Sequence, residues 1–388
     1  MKVLQLASKP PYPQIDGGCI AVAALANGLL ENGIGLHSYS IYTEKHPFDL
    51  HAFPIKWQET VHPKGTFIDT SIRAIGAFLN LFSSKSYFTS RFYSKAFEQT
   101  IIELLKNEVF DIIQLESVYL FPYFEIIKQH SKAKLIFRTH NIEHQLVLQR
   151  ASNASFFKQH YLKLQANRLK KEECFLAENC DGIVAISPQE VEFFQPYSKT
   201  DKIIHIPSGI AVQVNEFAPK TEFFHIGAMD WQPNKEGIEW FLKNVWKDFS
   251  EKTQLHLAGK ALSESIHHDY ENVINHREVK QAAKFMQAHG IMIVPLFSGS
   301  GIRIKIIEAG ALGIPIIATK KAVEGIEITK DEDYLEANTP EEFVASMKLL
   351  LNDVDLQEKL SKSIKKQIAL HYNPEKLAQK LVEFYQSI

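Results

Sequence analysis

The stretch Pro295–Thr319, PLFSGSGIRIKIIEAGALGIPIIAT, decides how the chain folds. An apolar strand, Ile291–Pro295, enters it and stops at a run of small residues, Ser298-Gly299-Ser300-Gly301. A helix over Ile302–Leu312 follows, and Gly313 and Pro315 end it before a second apolar strand, Pro315–Thr319. Short apolar strands alternating with helices imply a parallel sheet covered on both faces. The turn lets a ligand approach the backbone closely. The helix after it points free N–H groups and the positive end of its dipole into the turn, which attracts phosphate. Arg303 and Lys305 add positive charge, and an arginine can grip a phosphate bidentately. Glu308, about one and a half turns on, is a carboxylate suited to the vicinal hydroxyls of a ribose. An ordinary strand–turn–helix with a Lys305–Glu308 pair is the competing explanation. The combination of the glycine turn with Arg303, Lys305 and Glu308 favours a ligand site lined by Ser300, Gly301 and Ile302.

The same alternation runs outward in both directions. Strands are expected at Val3–Ala7, Gly35–Tyr42, Asp111–Leu115, Lys134–Arg138 and Gly182–Ile186, with helices between them at Ile20–Glu31, Phe92–Asn107 and Lys158–Glu178. The pattern breaks over Lys202–Ala218, where a strand runs into Pro207-Ser208-Gly209, and then restarts. Strands follow at Phe223–Ile226 and Gln254–Ala258, with helices at Glu236–Phe249 and Val279–His289. Terminal helices are expected at Pro340–Leu350, Asp355–Leu370 and Glu375–Ser387. A chain of 388 residues exceeds one core. The expected division is an N-terminal Rossmann-like domain over 1–208, a second over 209–371, and a final helix over 372–388.

A net charge of −2 does not advertise nucleic-acid binding, so any anion site must be local. The three cysteines, Cys19, Cys174 and Cys180, form no CxxC pair and have no metal-ligand spacing; a reducing, cytoplasmic setting is expected. The first apolar run reaches Pro10 almost at once and reads as a strand rather than a leader. No apolar run is long enough to span a membrane. The segment 70–97 is unusual: Arg73, Lys85, Arg91 and Lys95 interleave with Phe78, Phe82, Tyr87, Phe88, Phe92, Tyr93 and Phe97, without an acidic residue. Such a face can dock on an anionic membrane, or its aromatics can be core.

The stretch Pro295–Thr319 resembles the donor-binding signature of the retaining GT-B glycosyltransferases called group 1, or family 4. That signature has two glutamates eight positions apart at a strand–helix junction, followed by EAxAxGxPIIAT. Glu308 matches the second glutamate. Ser300 stands where the first, which contacts the transferred sugar in the family, would be. The GSGxRxKxxEA form resembles a branch of the same family. FHIGAMDWQPNKEGIEWF, Phe224–Phe241, resembles the opening of the family's second domain, with Gly227 as a turn residue, Trp231 either walling the pocket or capping the core, and Lys235 as a candidate for the diphosphate-binding lysine. PPYPQIDGG, Pro10–Gly18, resembles the first-domain glycine loop, in which Gly17 and Gly18 reach the diphosphate or the sugar. FRTHNIEHQ places His140 just after a strand, where the family has a histidine against the transferred sugar; Asn141 and Glu143 recur in the related branch.

The resemblance implies an α/β fold of GT-B type. Two Rossmann-like domains with parallel sheets face one another, and a C-terminal helix returns to the first domain. It implies a retaining, metal-independent transferase with no cofactor. Its donor would be a nucleotide-diphosphate sugar, UDP- or GDP-linked, and its acceptor a glycan or lipid-linked molecule of cell-surface polysaccharide synthesis, at the inner membrane face. His140, Arg303 and Lys305 would carry catalysis. No Asp-x-Asp metal motif is evident, and Asp331-Glu332-Asp333 reads as a solvated loop. Two other readings stay open. One is a non-catalytic sugar-nucleotide-binding protein, motivated by Ser300. The other is a nucleotide-sugar epimerase of the same fold, which would need a pair of cleft carboxylates.

Overall fold

Thirteen short strands, among the residues described, build two separate parallel sheets in this computed structural model. The structure describes residues 1–388 apart from 153, 199–201, 214, 215, 250, 251, 265, 267–269 and 300. The first sheet contains β1 (Lys2–Ala7), β2 (Gly35–Tyr42), β3 (Lys64–Phe67), β4 (Ile112–Glu116), β5 (Lys134–Arg138), β6 (Gly182–Ala185) and β7 (Ile203–His205), in the order β3-β2-β1-β4-β5-β6-β7. The second contains β8 (Phe223–Ile226), β9 (Leu255–Ala258), β10 (Val273–Asn275), β11 (Ile291–Val294), β12 (Ile316–Ala318) and β13 (Leu335–Glu336), in the order β10-β9-β8-β11-β12-β13. Every residue of β4, β8 and β11 is buried, as strands covered on both faces require.

The chain divides into two units, 1–209 with 374–388, and 210–373. The last helix, Pro374–Gln386, belongs to the first unit. It packs on the helix Gly17–Glu31, where Gly28 meets Ala378. Tyr385 on that helix reaches the side chain of Gln114 in β4. Both facts account for the return of the chain's end to its beginning.

Each sheet reverses its strand order once, between β1 and β4 in the first unit and between β8 and β11 in the second. Loops leaving neighbouring strands there diverge to opposite faces, which opens a crevice at the strands' carboxyl ends. The glycine loop after β1, Glu116 at the end of β4 and His140 beyond β5 stand at the first such edge. Gly227 after β8 and the small-residue turn after β11 stand at the second.

Several bounds differ from the sequence expectation, for local reasons. The helix after β8 is Gln232–Asn244 and starts earlier, because Pro233 sits in its first turn, where a missing N–H costs nothing. The helix after β11 is Ile304–Ala311 and starts later, because Gly301 has a φ of 83° and Arg303 a non-helical ψ of 84°. β3, β10 and β13 are short and were not anticipated; none carries a long apolar run. Asp333 is not solvated: it is buried, accepting from Thr329 N at 2.7 Å and from Ser363 Oγ at 2.5 Å.

Candidate functional site

In the second unit the helix Ile304–Ala311 projects Lys305 toward the carboxyl end of β8. Its Nζ donates to Ile226 O at 3.0 Å and to Asn234 Oδ1 at 2.9 Å. An ammonium has three N–H donors, so one is left without a partner among the described residues. Burial, and then the charge of Arg303, bring its pKa down to about 7. A bound anion would favour the charged form again. Asn234 is itself buried and held by a bond from Nδ2 to Ala228 O at 3.0 Å. Gly227 is required there by close approach: a Cβ would lie 2.6 Å from Asn234 Nδ2.

Glu308 lies two helix positions beyond the buried Ile306. Its carboxyl group is raised to about 7 by burial alone, with no ion pair or hydrogen bond among the described residues. The Lys305–Glu308 pair of the competing explanation is therefore not formed, and both groups remain free to meet a ligand.

Arg303 is placed differently. It is 5% exposed, and its guanidinium donates backwards to Gly301 O and to Gly299 O, the latter at 3.2 Å. It holds the turn in shape rather than projecting from it. Gly299 has a φ of 101°, and a Cβ there would lie 2.8 Å from the indole of Trp231, which packs under the turn. Gly301 and Ile302 are part-buried in this loop; Ser300 lies outside the described residues. Lys235 is exposed and its ammonium lies 3.9 Å from Glu239, so it is a solvated helix-start lysine. Lys305 stands against Asn234, next to it in sequence. The structure thus gathers Gly227, Lys305, Glu308, Gly301 and Ile302 on one edge and leaves the Lys235 side chain in solvent.

In the first unit Gly17 and Gly18 open the helix Gly17–Glu31. Asp16 caps it, accepting from Cys19 N at 3.0 Å. The same carboxylate accepts from Lys9 Nζ at 2.8 Å and meets His46 Nε2 at 2.9 Å. Burial works to raise its pKa, but His46, Lys9 and the Cys19 amide outweigh that and hold it far below the ordinary carboxylate range. Lys9, Asp16 and His46 were not singled out from the sequence. The Asp-Gly-Gly order at a helix start was the available signal for Asp16.

His140 follows β5 and donates or accepts through Nε2 with Glu116 Oε2 at 2.9 Å. Glu116 is buried, and Arg138 Nη1 lies 2.9 Å from the same oxygen. Gln5 and Gln114 donate to its other oxygen at 2.8 and 2.6 Å. Burial tends to raise the Glu116 pKa, but Arg138, His140 and Gln114 bring it down to about 2. Burial lowers the His140 pKa despite the contact with Glu116, whose charge Arg138 already balances. We therefore assign His140 as neutral. Since an ionised carboxylate only accepts, Nε2 carries the proton and Nδ1 the lone pair; Nδ1 is buried and unpartnered. Asn141 and Tyr119 both donate to Glu143, at 3.3 and 2.8 Å. The carboxylate of Glu173, far along the chain, caps the helix that Glu143 begins, accepting from Glu143 N at 2.6 Å.

The apolar side chains of the segment 70–97 divide between buried and exposed positions. Phe88, Phe92 and Phe97 are buried, whereas Ile72, Ile75, Phe78, Leu79 and Phe82 are exposed, Phe82 by 83%. Arg73 and Lys85 are exposed beside them, Arg73 paired with Asp69. No helix among the described residues is long and apolar enough to cross a membrane.

Residues 220–353 match the family model of glycosyl transferases group 1. No curated protein sequence matches the chain. Solved structures resemble it over its whole length. Sucrose-phosphate synthase of Thermosynechococcus elongatus superposes with a TM-score of 0.72 at 18% identity, covering 100% of this chain and 99% of that one. A TarM variant of S. aureus, in a complex that includes UDP, gives 0.69 at 10% identity, with 99% and 100% covered. HepE of Anabaena in complex with UDP gives 0.67 at 12% identity, with both chains covered completely. The second unit thus matches the group 1 glycosyltransferase model, and the whole chain shares the GT-B fold of these structures.

Proposed function

We propose that this glycosyltransferase moves a sugar, with retention of anomeric configuration, from a UDP- or GDP-sugar to a glycan or lipid-linked acceptor in cell-surface polysaccharide synthesis. The observation that carries the reading is the edge of β8 and β11. There a part-buried ammonium with an uncommitted proton, a part-buried carboxyl group with no partner among the described residues, and a glycine turn at a helix N-terminus occur together. Those groups suit, in turn, a diphosphate, a ribose and the phosphate oxygens nearest the helix. Arg303 is the positioning residue that keeps the turn open, and Gly227 gives the ligand room at the strand end. Lys235 contributes no contact in this reading.

The reaction breaks the bond between the sugar's anomeric carbon and the diphosphate oxygen. It forms a bond from that carbon to the acceptor oxygen on the same face. The acceptor's proton passes to the departing phosphate oxygen, so no protein base is needed. Negative charge grows on the diphosphate as it leaves, and Lys305 and the helix amides stabilise it there. In the first unit, Gly17 and Gly18 present the opening amides of a helix, and neutral His140 carries on its buried Nδ1 a lone pair that suits a sugar hydroxyl rather than phosphate once a ligand opens access to it. The binding of UDP by HepE and TarM supports UDP among the donor bases.

A thermal-shift panel of UDP-, GDP-, ADP- and TDP-sugars tests the reading, since ligand that binds only the folded state raises its melting temperature. One nucleotide family should stabilise the wild type and fail to stabilise Glu308→Ala. No shift with any nucleotide would overturn the proposal. A shift without turnover across an acceptor panel would leave the non-catalytic binding protein standing instead.

Membrane contact through the exposed part of 70–97 is the second element of the proposal. Vesicles containing phosphatidylglycerol should retain the wild type at low salt and release the Phe78→Asp, Phe82→Asp double variant. Equal retention of both proteins, or of neither, would remove the membrane from the reading.

A further inference from the structure

Away from the edge described above, the second unit brings three histidines together. His256 stands in β9, His276 follows β10, and His289 follows the helix Ala282–Ala288. β9 and β10 pair with Ile274 beside His256, and the amide of His276 donates to Leu257 O at 2.8 Å, which sets the first two rings side by side. Nδ1 of His256 and Nε2 of His276 are 2.9 Å apart. The rings of His256 and His289 stack with centroids 4.0 Å apart, and those of His276 and His289 are 4.7 Å apart. One nitrogen from each residue lies within 4.8 Å of the other two. His256 is 4% exposed, and the buried Nδ1 of His289 has no partner. On the far side of the His256 ring, Nε2 lies 3.2 Å from Oε2 of Glu222.

We propose that His256, His276 and His289 form a binding site for a divalent cation of the zinc class, with Glu222 orienting His256 from behind. Imidazole nitrogens suit zinc and its neighbours in the first transition row, whereas magnesium and calcium require oxygen ligands, which this cluster lacks. The charge of Glu222, 3.2 Å from Nε2 but not aligned as a hydrogen bond, favours the proton on that nitrogen and leaves the Nδ1 lone pair facing the other two rings. Zinc–nitrogen bonds of about 2.0–2.1 Å place tetrahedral ligand atoms about 3.4 Å apart. His256 and His276 reach that separation by a ring shift of about half an ångström, with His276 moving its proton to Nδ1. A water completes the fourth position. The ion would tie the helix before His289 to β9 and the end of β10, two strands already hydrogen-bonded to each other.

The full chain, stripped with a chelator, is titrated with zinc chloride in competition with a chromophoric chelator. One zinc per chain is expected, and cobalt(II) should give the visible absorption of a low-coordinate, nitrogen-ligated ion. His276→Ala and His289→Ala, both part-exposed positions, should lose the uptake while keeping the circular dichroism of the stripped wild type. Glu222→Gln should bind about 10- to 100-fold more weakly. The other group of metal-competent residues among those described is Asp16, Cys19 and His46, so His46→Ala should bind as the wild type does. No stoichiometric uptake by the wild type, uptake that survives in both alanine variants, or uptake abolished by His46→Ala would each overturn the site.

Discussion

Lys305→Met should lower kcat/KM by about 10²–10³, equivalent to about 2.7–4 kcal/mol of transition-state stabilisation, while leaving the melting temperature almost unchanged. The two halves of that expectation come from one geometry. Lys305 keeps one N–H without a partner among the described residues, whereas Arg303 turns Nη1 and Nη2 back onto the carbonyls of Gly301 and Gly299 and leaves only its buried Nε unpaired. In the proposed reaction, removing the ammonium removes charge from the place where the leaving diphosphate gains it. Stability behaves differently. A lysine brought down to about 7 by burial is costly to keep charged inside the fold. A methionine of similar length relieves that cost and offsets the loss of two hydrogen bonds. Lys305→Arg should not rescue activity, since a planar fork does not fit a space shaped by Ile226 and Asn234 for a compact ammonium. Steady-state kinetics with the nucleotide family identified by thermal shift, beside a melting curve for each variant, is the required measurement. Activity of Lys305→Met within threefold of wild type would mean that the diphosphate is held elsewhere.

The largest loss of stability is expected from Arg138→Met. Arg138 is fully buried, and it lies 2.9 Å from a Glu116 that is 2% exposed. Removing one partner of such a pair leaves an uncompensated charge in the interior, at a cost of about 3–5 kcal/mol. Domains are commonly stable by only about 5–15 kcal/mol, so the variant should be close to its limit. Adding Glu116→Gln should recover part of the loss. The neutral amide removes the buried charge, and its oxygen still accepts from Gln5 and Gln114. The effect has a definite sign with pH. In the wild type Glu116 sits at about 2, below its ordinary 4.5. Its contribution is complete above about 4.5 and disappears as the pH falls toward 2. Without Arg138, burial raises the same carboxyl group, which then takes up a proton on folding. The gap between wild type and Arg138→Met should be widest at pH 7 and narrow toward pH 4. Urea unfolding at the two pH values measures it, and a gap independent of pH would show that Glu116 is not the group responsible. His140 contacts the same carboxylate, so the double variant also changes the surroundings of its ring.

The sequence by itself determined the alternation of strand and helix, the switch to a second domain close to residue 209, the last helix, and the edge on which Gly227, Gly301, Lys305 and Glu308 lie. Those features are written in neighbouring residues: apolar runs at strand period, glycines where the chain must turn, and charge placed within one helix after a turn. Tertiary structure decided what the charged groups do. Lys305 bonds to Ile226 and Asn234, which stand 79 and 71 residues away, and so leaves Glu308 unpaired. Arg303 turns back onto its own loop because burial leaves the carbonyls of Gly299 and Gly301 as its nearest acceptors. His140 is neutral because it is buried, and because β4 and β5 set Arg138 beside Glu116 in register to balance that carboxylate's charge. His256 and His276, 20 residues apart, meet only because β9 and β10 are neighbours. A pattern of residue types fixes a local period, but a buried charge takes its state from whichever partner the packed sheet brings within about 3 Å, and that pairing is made across strands rather than along them.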